Sequence, residues 1–205
     1  MKTYLFNPFL KIAGAKAFFL GLAFVVLSSL TAGLFYGRYD GVLDMHFVLE
    51  KSFINPLLDN LINISCLTIV FYLNALMIKG FRIRFIDILG TMTLARAPLF
   101  LMPLANIGNK FNEIGISLTE NTNPNVLNDI VMENIVLLII TGVISIGILV
   151  WYVALLWKAY TVSSNVKGAT AIISFIIGLL AAEVLSKIII YQTEGIYQSL
   201  NHLII

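Results

Sequence analysis

The sequence predicts an all-α integral membrane protein, a bundle of five transmembrane helices with its N-terminus inside and its C-terminus outside. Three observations carry that class. Of 205 residues, 59% are apolar and 12% charged, where soluble domains run to about 45–50% and about 25%. The apolar residues gather into five windows long enough to cross about 30 Å of hydrocarbon, which takes about 20 residues at about 1.5 Å each. Lysine and arginine collect in alternate connectors. The mean hydropathy is +0.93. A net charge of +2 leaves no electrostatic footprint for nucleic acid, and the one cysteine, Cys66, excludes internal disulfides and a cysteine-based zinc cluster.

Taken in order, residues 1–16 form a short cytoplasmic head in which Tyr4, Leu5, Phe6, Phe9 and Leu10 mark an interfacial segment. The first span, 17–36, follows Lys16 and stops before Gly37-Arg38-Tyr39-Asp40. Its rival reading is a signal peptide cleaved after Ala32. Against that stand Leu30, where cleavage wants a small residue, and a basic head broken by Asn7-Pro8. In 37–56, Val42, Met45, Val48 or Leu49, and Phe53 recur at helical spacing, which predicts a short helix on the outer interface.

The second span, 57–78, begins after Asn55-Pro56 and ends at Lys79-Gly80. The third, 88–107, contains Arg96, Pro98 and Pro103; prolines are tolerated in a span when neighbours satisfy the freed carbonyls. Between 106 and 133 lie Asn106, Asn109, Asn112, Asn121, Asn123, Asn125 and Asn128. This is turn chemistry, since asparagine bonds its own backbone and accepts left-handed geometry. Spans four and five occupy 135–157 and 169–191. No linker or repeat divides residues 1–205, which read as one membrane domain.

Orientation follows the basic residues. With the N-terminus inside, Lys2, Lys11, Lys16, Lys79, Arg82, Arg84, Lys158 and Lys167 fall on the cytoplasmic side, and Arg38, Lys51, Lys110 and Lys187 opposite. The acids fall the other way, with Asp40, Asp44, Glu50, Asp59, Glu113, Glu120, Asp129, Glu133 and Glu194 outside. A prokaryotic inner membrane is the expected location.

Polar residues inside the spans are the candidate site. Asn60, Asn63 and Asn74 occupy one narrow face of the second span, which must look inward, either as glue between helices or as a polar pathway. Arg96 and Glu183 form the intramembrane charged pair of interest. Three readings stay open: a structural ion pair, snorkelling of Arg96 to the headgroups, and a proton or ion pathway. Thr170, Ser174, Gly178, Ala182 and Ser186 make a ladder of small residues along one ridge of the fifth span, suited to internal packing or to homo-oligomerisation. The hairpin residues Lys79, Arg82 and Arg84 are a surface for anionic lipid or for the acidic patch of a membrane-protein partner.

Chemistry is sparse. His46 and His202 are the only histidines and no His-Glu-x-x-His motif occurs, while Asp40, Asp44 and His46 are ordinary loop residues, so no metal and no cofactor is expected. No nucleophile stands beside a base, so the chain is not expected to be an enzyme.

Five spans, the proline-broken stretch Ile86-Asp87-Ile88-Leu89-Gly90-Thr91-Met92-Thr93-Leu94-Ala95-Arg96-Ala97-Pro98, and Trp151-Tyr152-Val153-Ala154-Leu155-Leu156 before Lys167-Gly168-Ala169 resemble the Yip (Ypt-interacting protein) domain family in its short prokaryotic form. The likeness runs from about residue 7 to the end of the fifth span. It implies a non-enzymatic, membrane-organising or partner-binding scaffold, and transfers no catalytic residue. The head lacks the long acidic, aromatic segment of eukaryotic members, so binding of Rab-type GTPases is not implied. The alternative function is a small transporter or channel using Arg96, Glu183 and the asparagine face.

Overall fold

The computed structural model describes residues 5–202, apart from the side chains of residue 81 and of 194–202. The readings placed on Lys2, Tyr4, the Glu194 side chain and the His202 side chain lie outside the described residues. Its helices are α1 (Gly14–Leu34), α2 (Ile54–Lys79), α3 (Phe85–Ala95), α4 (Lys110–Glu120), α5 (Pro124–Glu133), α6 (Ile135–Ser164) and α7 (Gly168–His202). A two-stranded hairpin pairs β1 (Gly37–Arg38) with β2 (His46–Phe47), and a 3-10 run covers Ala97–Asn106. Among the described residues, five helices are long and apolar enough to cross a membrane: Gly14–Leu34, Ile54–Lys79, Phe85–Asn106, Ile135–Ser164 and Gly168–Thr193. Each overlaps one expected span.

The third span is built as two pieces. Pro98 has no N–H to donate to Leu94, and Pro103 repeats the defect, so the α-helix ends at Ala95 and continues as the tighter 3-10 run. The carbonyls of this stretch are met by neighbours: Thr31 Oγ1 donates to Phe100 O at 3.2 Å and the Tyr39 hydroxyl to Leu99 O at 3.1 Å. Such replacement bonds let an irregular segment sit at membrane depth.

The packing of α1 on α3 needs small residues. A Cβ built on Gly90 would stand 2.2 Å from Gly14 O, and one on Gly21 would stand 2.5 Å from Leu94 N. The two backbones meet, which is the close approach small residues permit inside a membrane. On the far side, α7 packs along α2: Asn74 Nδ2 donates to Ser174 O at 2.8 Å, and Phe71 stacks on Phe175 at 5.6 Å between ring centres. By contrast, an 18-residue stretch of α6 is only 6% buried, so the first half of that helix offers Val136, Ile139, Val143 and Ile146 to its surroundings.

Two connectors differ from expectation. Residues 37–48 form no helix; the strands pair Gly37 with Phe47 and Arg38 with His46, and the turn between them dips inward, burying Tyr39 and Val42. Helical spacing misled because Val42 is apolar for burial under the loop, not for a lipid-facing stripe. The asparagine-rich connector shows turn chemistry only at its joints, Asn109 with φ 59° and Asn123 capping α5 through Asn125 N at 3.0 Å. Between those joints lie α4 and α5.

Asn106 ties both connectors together. Its Nδ2 donates to Phe35 O at 3.0 Å and to Asn112 Oδ1 at 2.7 Å, and Asn112 Nδ2 donates to Val48 O at 2.7 Å. The two polar connectors therefore share one end of the molecule. At the opposite end, Gly14 faces Asp87, and α2 turns into α3 through Lys79, Arg82 and Arg84. Exposed Lys16, Lys79, Arg82, Arg84, Lys158 and Lys167 gather at this basic end; exposed Asp44, Glu50, Glu113, Glu120, Asp129 and Glu133 gather at the other.

Candidate functional site

Polar groups from every spanning helix and from the inward-dipping turn converge in the interior. The first cluster joins β1 to α2. Arg38 grips Asp59 with Nε to Oδ2 at 2.8 Å and Nη2 to Oδ1 at 3.1 Å, and Tyr39 N adds a bond to Oδ2 at 3.4 Å. Asp59 is 0% exposed. A forked, hydrogen-bonded geometry of this kind is what makes a buried ion pair tolerable. The sequence assigns both residues to the outer side, Arg38 in a connector and Asp59 near the start of the second span, without pairing them; they are buried partners. The signal lay in Asp59 standing one residue before Asn60 on the inward face.

The second cluster is centred on Arg96, which is 2% exposed. Nη2 donates to Asn60 Oδ1 at 2.8 Å, Nη1 donates to the Tyr152 hydroxyl at 3.1 Å and to Val42 O at 3.4 Å, and Nε has no protein partner. The guanidinium lies 6.0 Å from the Tyr39 ring centre and 5.8 Å from that of Tyr152, within cation–π range. Asn60 Nδ2 passes the network on to Ser28 Oγ at 3.2 Å and Ser29 Oγ at 3.0 Å, and Asn63 Nδ2 donates to Tyr39 O at 3.1 Å. Arg96 thus neither snorkels to an end nor meets Glu183 directly. Neutral oxygens and ring faces take the place of water around the buried guanidinium.

The third cluster holds Glu183. Its Oε2 accepts from Leu43 N at 2.8 Å and its Oε1 lies 3.3 Å from Lys187 Nζ, which also reaches Asp44 at 2.8 Å. Beside it, Ser186 Oγ accepts from Val42 N at 3.2 Å. Gly41 lies on the carboxylate, where a Cβ would stand 2.6 Å from Glu183 Oε1.

These contacts meet in one place. Val42 O and Leu43 N belong to the same peptide group, whose oxygen and hydrogen point in opposite directions across a rigid plane. Arg96 holds the oxygen and Glu183 the hydrogen. The two intramembrane charges are joined through a peptide dipole aligned between them, in place of the direct pair. Neither member alone predicts this, because the bridge comes from a connector that reads as loop.

The other expected residues fall as follows. Asn74 leaves this core and joins α2 to Ser174 of α7. In the ladder, Ser174, Gly178, Ala182 and Ser186 are buried and Thr170 is exposed; a Cβ on Gly178 would stand 2.6 Å from Asn74 Nδ2. Lys79 and Arg82 are exposed, whereas Arg84 pairs with Asp87 through two bonds of 2.9 and 2.8 Å, which raises its pKa. At the acidic end Asp40 pairs with His46, and that bond pushes the histidine above its ordinary value against the effect of burial. Among the described residues no group of three histidine, cysteine or carboxylate side chains is arranged to hold a metal ion.

Fold and site together define a helical protein that has, among the described residues, five helices long and apolar enough to cross a membrane, and a charged core capped by its own connector. No protein-family model matches the chain, and no curated protein or solved structure matches it.

Proposed function

We propose that this is a multi-pass protein of a prokaryotic inner membrane, N-terminus in and C-terminus out, acting as a non-enzymatic scaffold that organises membrane or holds a partner at its basic end. The observation that supports this reading is the enclosure of the polar core. Arg96, Asn60, Asn63 and Asp59 are buried and bonded to protein groups. Charges used in this way lock helices and connector together and present no reacting group to a substrate. The reading includes the resemblance to Yip-domain proteins drawn from residues 86–98, 151–156 and 167–169. Working contacts then fall to exposed Lys79 and Arg82, with Arg84 already held by Asp87.

The experiment has two arms. Protein carrying Lys79→Gln and Arg82→Gln, solubilised in mild detergent, is expected to lose an acidic partner that co-purifies with the parent chain. In proteoliposomes the parent chain is expected to carry no proton or solute flux. Flux that disappears in Glu183→Gln would replace the scaffold with a transporter.

A further inference from the structure

A groove of about 310 Å³ runs between α1, the 3-10 segment and α6, away from the polar core. Leu20 and Phe24 form one wall, Trp151 and Leu155 the facing one, with Pro98 between them; Leu5 joins the lining, its carbonyl accepting from Trp151 Nε1 at 2.9 Å. The lining is apolar along its length.

Both helical walls end in a lysine at the same end of the molecule. On α1, Lys16, Leu20 and Phe24 are four residues apart, each only about 40° from the last, so they share one ridge. On α6, Lys158 lies seven residues after Trp151, about 20° round the helix and on the same face. Because α1 and α6 run in opposite directions, both registers lead toward the basic end, and both lysines are exposed there. Each lies about 10–12 Å along its helix from the groove's far end.

An occupant of this site must be apolar over that length and anionic at one end. We propose that the groove binds one acyl chain of an acidic glycerophospholipid, with the phosphate held at the mouth by Lys16 and Lys158. A zwitterionic lipid fills the apolar part equally well, but its own cation offsets the attraction of the two lysines. The site is separate from the Lys79–Arg82 surface and does not depend on what that surface binds.

Trp151 reports occupancy, since a brominated acyl chain quenches an indole it touches. With Trp157→Phe as the background, so that Trp151 is the sole tryptophan, the protein is reconstituted with brominated phosphatidylglycerol or brominated phosphatidylcholine at equal content. Relative affinity is expected to favour phosphatidylglycerol by about fivefold per lysine. Adding Lys16→Gln and Lys158→Gln should make the two lipids equal, and Lys79→Gln with Arg82→Gln should leave the preference intact. Equal quenching by both lipids in the parent background would overturn the proposal. So would a preference that survives loss of Lys16 and Lys158, or one that falls as much on neutralising the hairpin.

Discussion

At Val42 and Leu43 a single planar peptide faces two charges, its carbonyl toward Arg96 at 3.4 Å and its N–H toward Glu183 at 2.8 Å. That polarity has a consequence no direct ion pair shares. Exchanging the charges, Arg96→Glu with Glu183→Arg, would set a carboxylate against the carbonyl and a guanidinium against the N–H. The double variant is expected to melt below both single variants in detergent, whereas a direct pair would be rescued. The Arg38–Asp59 pair is an ordinary buried bridge. Asp59→Asn or Arg38→Met alone should cost about 3–5 kcal/mol, and Arg38→Met with Asp59→Leu much less than the sum, read from a double-mutant cycle of unfolding. Arg96, Glu183 and the asparagines were legible in the sequence because polarity inside a span is expensive. Their partners were not: Tyr152 is one aromatic among many in the apolar windows, Arg38 and Asp59 read only as charges on the outer side, and a backbone peptide carries no side-chain signal at all.

Among the elements, α1 and α3 are joined by backbone contact, and this sets which glycines matter. Gly90→Ala must displace Gly14 O, which as backbone cannot step aside, and should lower stability by about 1–3 kcal/mol. Gly147→Ala, with nothing within 4 Å of the added carbon, should be neutral or mildly stabilising in the same thermal assay. The hairpin carries a pH dependence. The Asp40 bond raises the His46 pKa above 6.5, so the bond's contribution is fully present below the ordinary histidine value and lost as pH rises through the raised one. The stability difference between the parent and His46→Gln should accordingly shrink as pH rises above 6.5 and through the raised value. Span positions were readable from apolar length and flanking Lys-Gly or Asn-Pro. The connectors were harder, because the turn after Arg38 folds inward and α4 and α5 are too short and too polar for span arithmetic to register.

Across the whole molecule, charge and polarity are sorted by end: lysine and arginine where α1, α3 and α7 begin, carboxylates and asparagines where the connectors interlock. The sorting was visible from the sequence; which group closes the interior was not, since closure needs the hairpin's register. Cysteines placed at Arg82 and at Asn123 are expected to react with an impermeant thiol reagent from opposite sides of the membrane. The most direct test of an enclosed core uses Asn63→Cys in a Cys66→Ala background, in membranes opened to both sides. With the core sealed by the 39–44 turn, this cysteine stays unmodified by a water-soluble maleimide over the time in which Arg82→Cys reacts to completion. Modification of both at comparable rates would mean that water reaches the middle of the bundle, and would contradict a structural role for its charges.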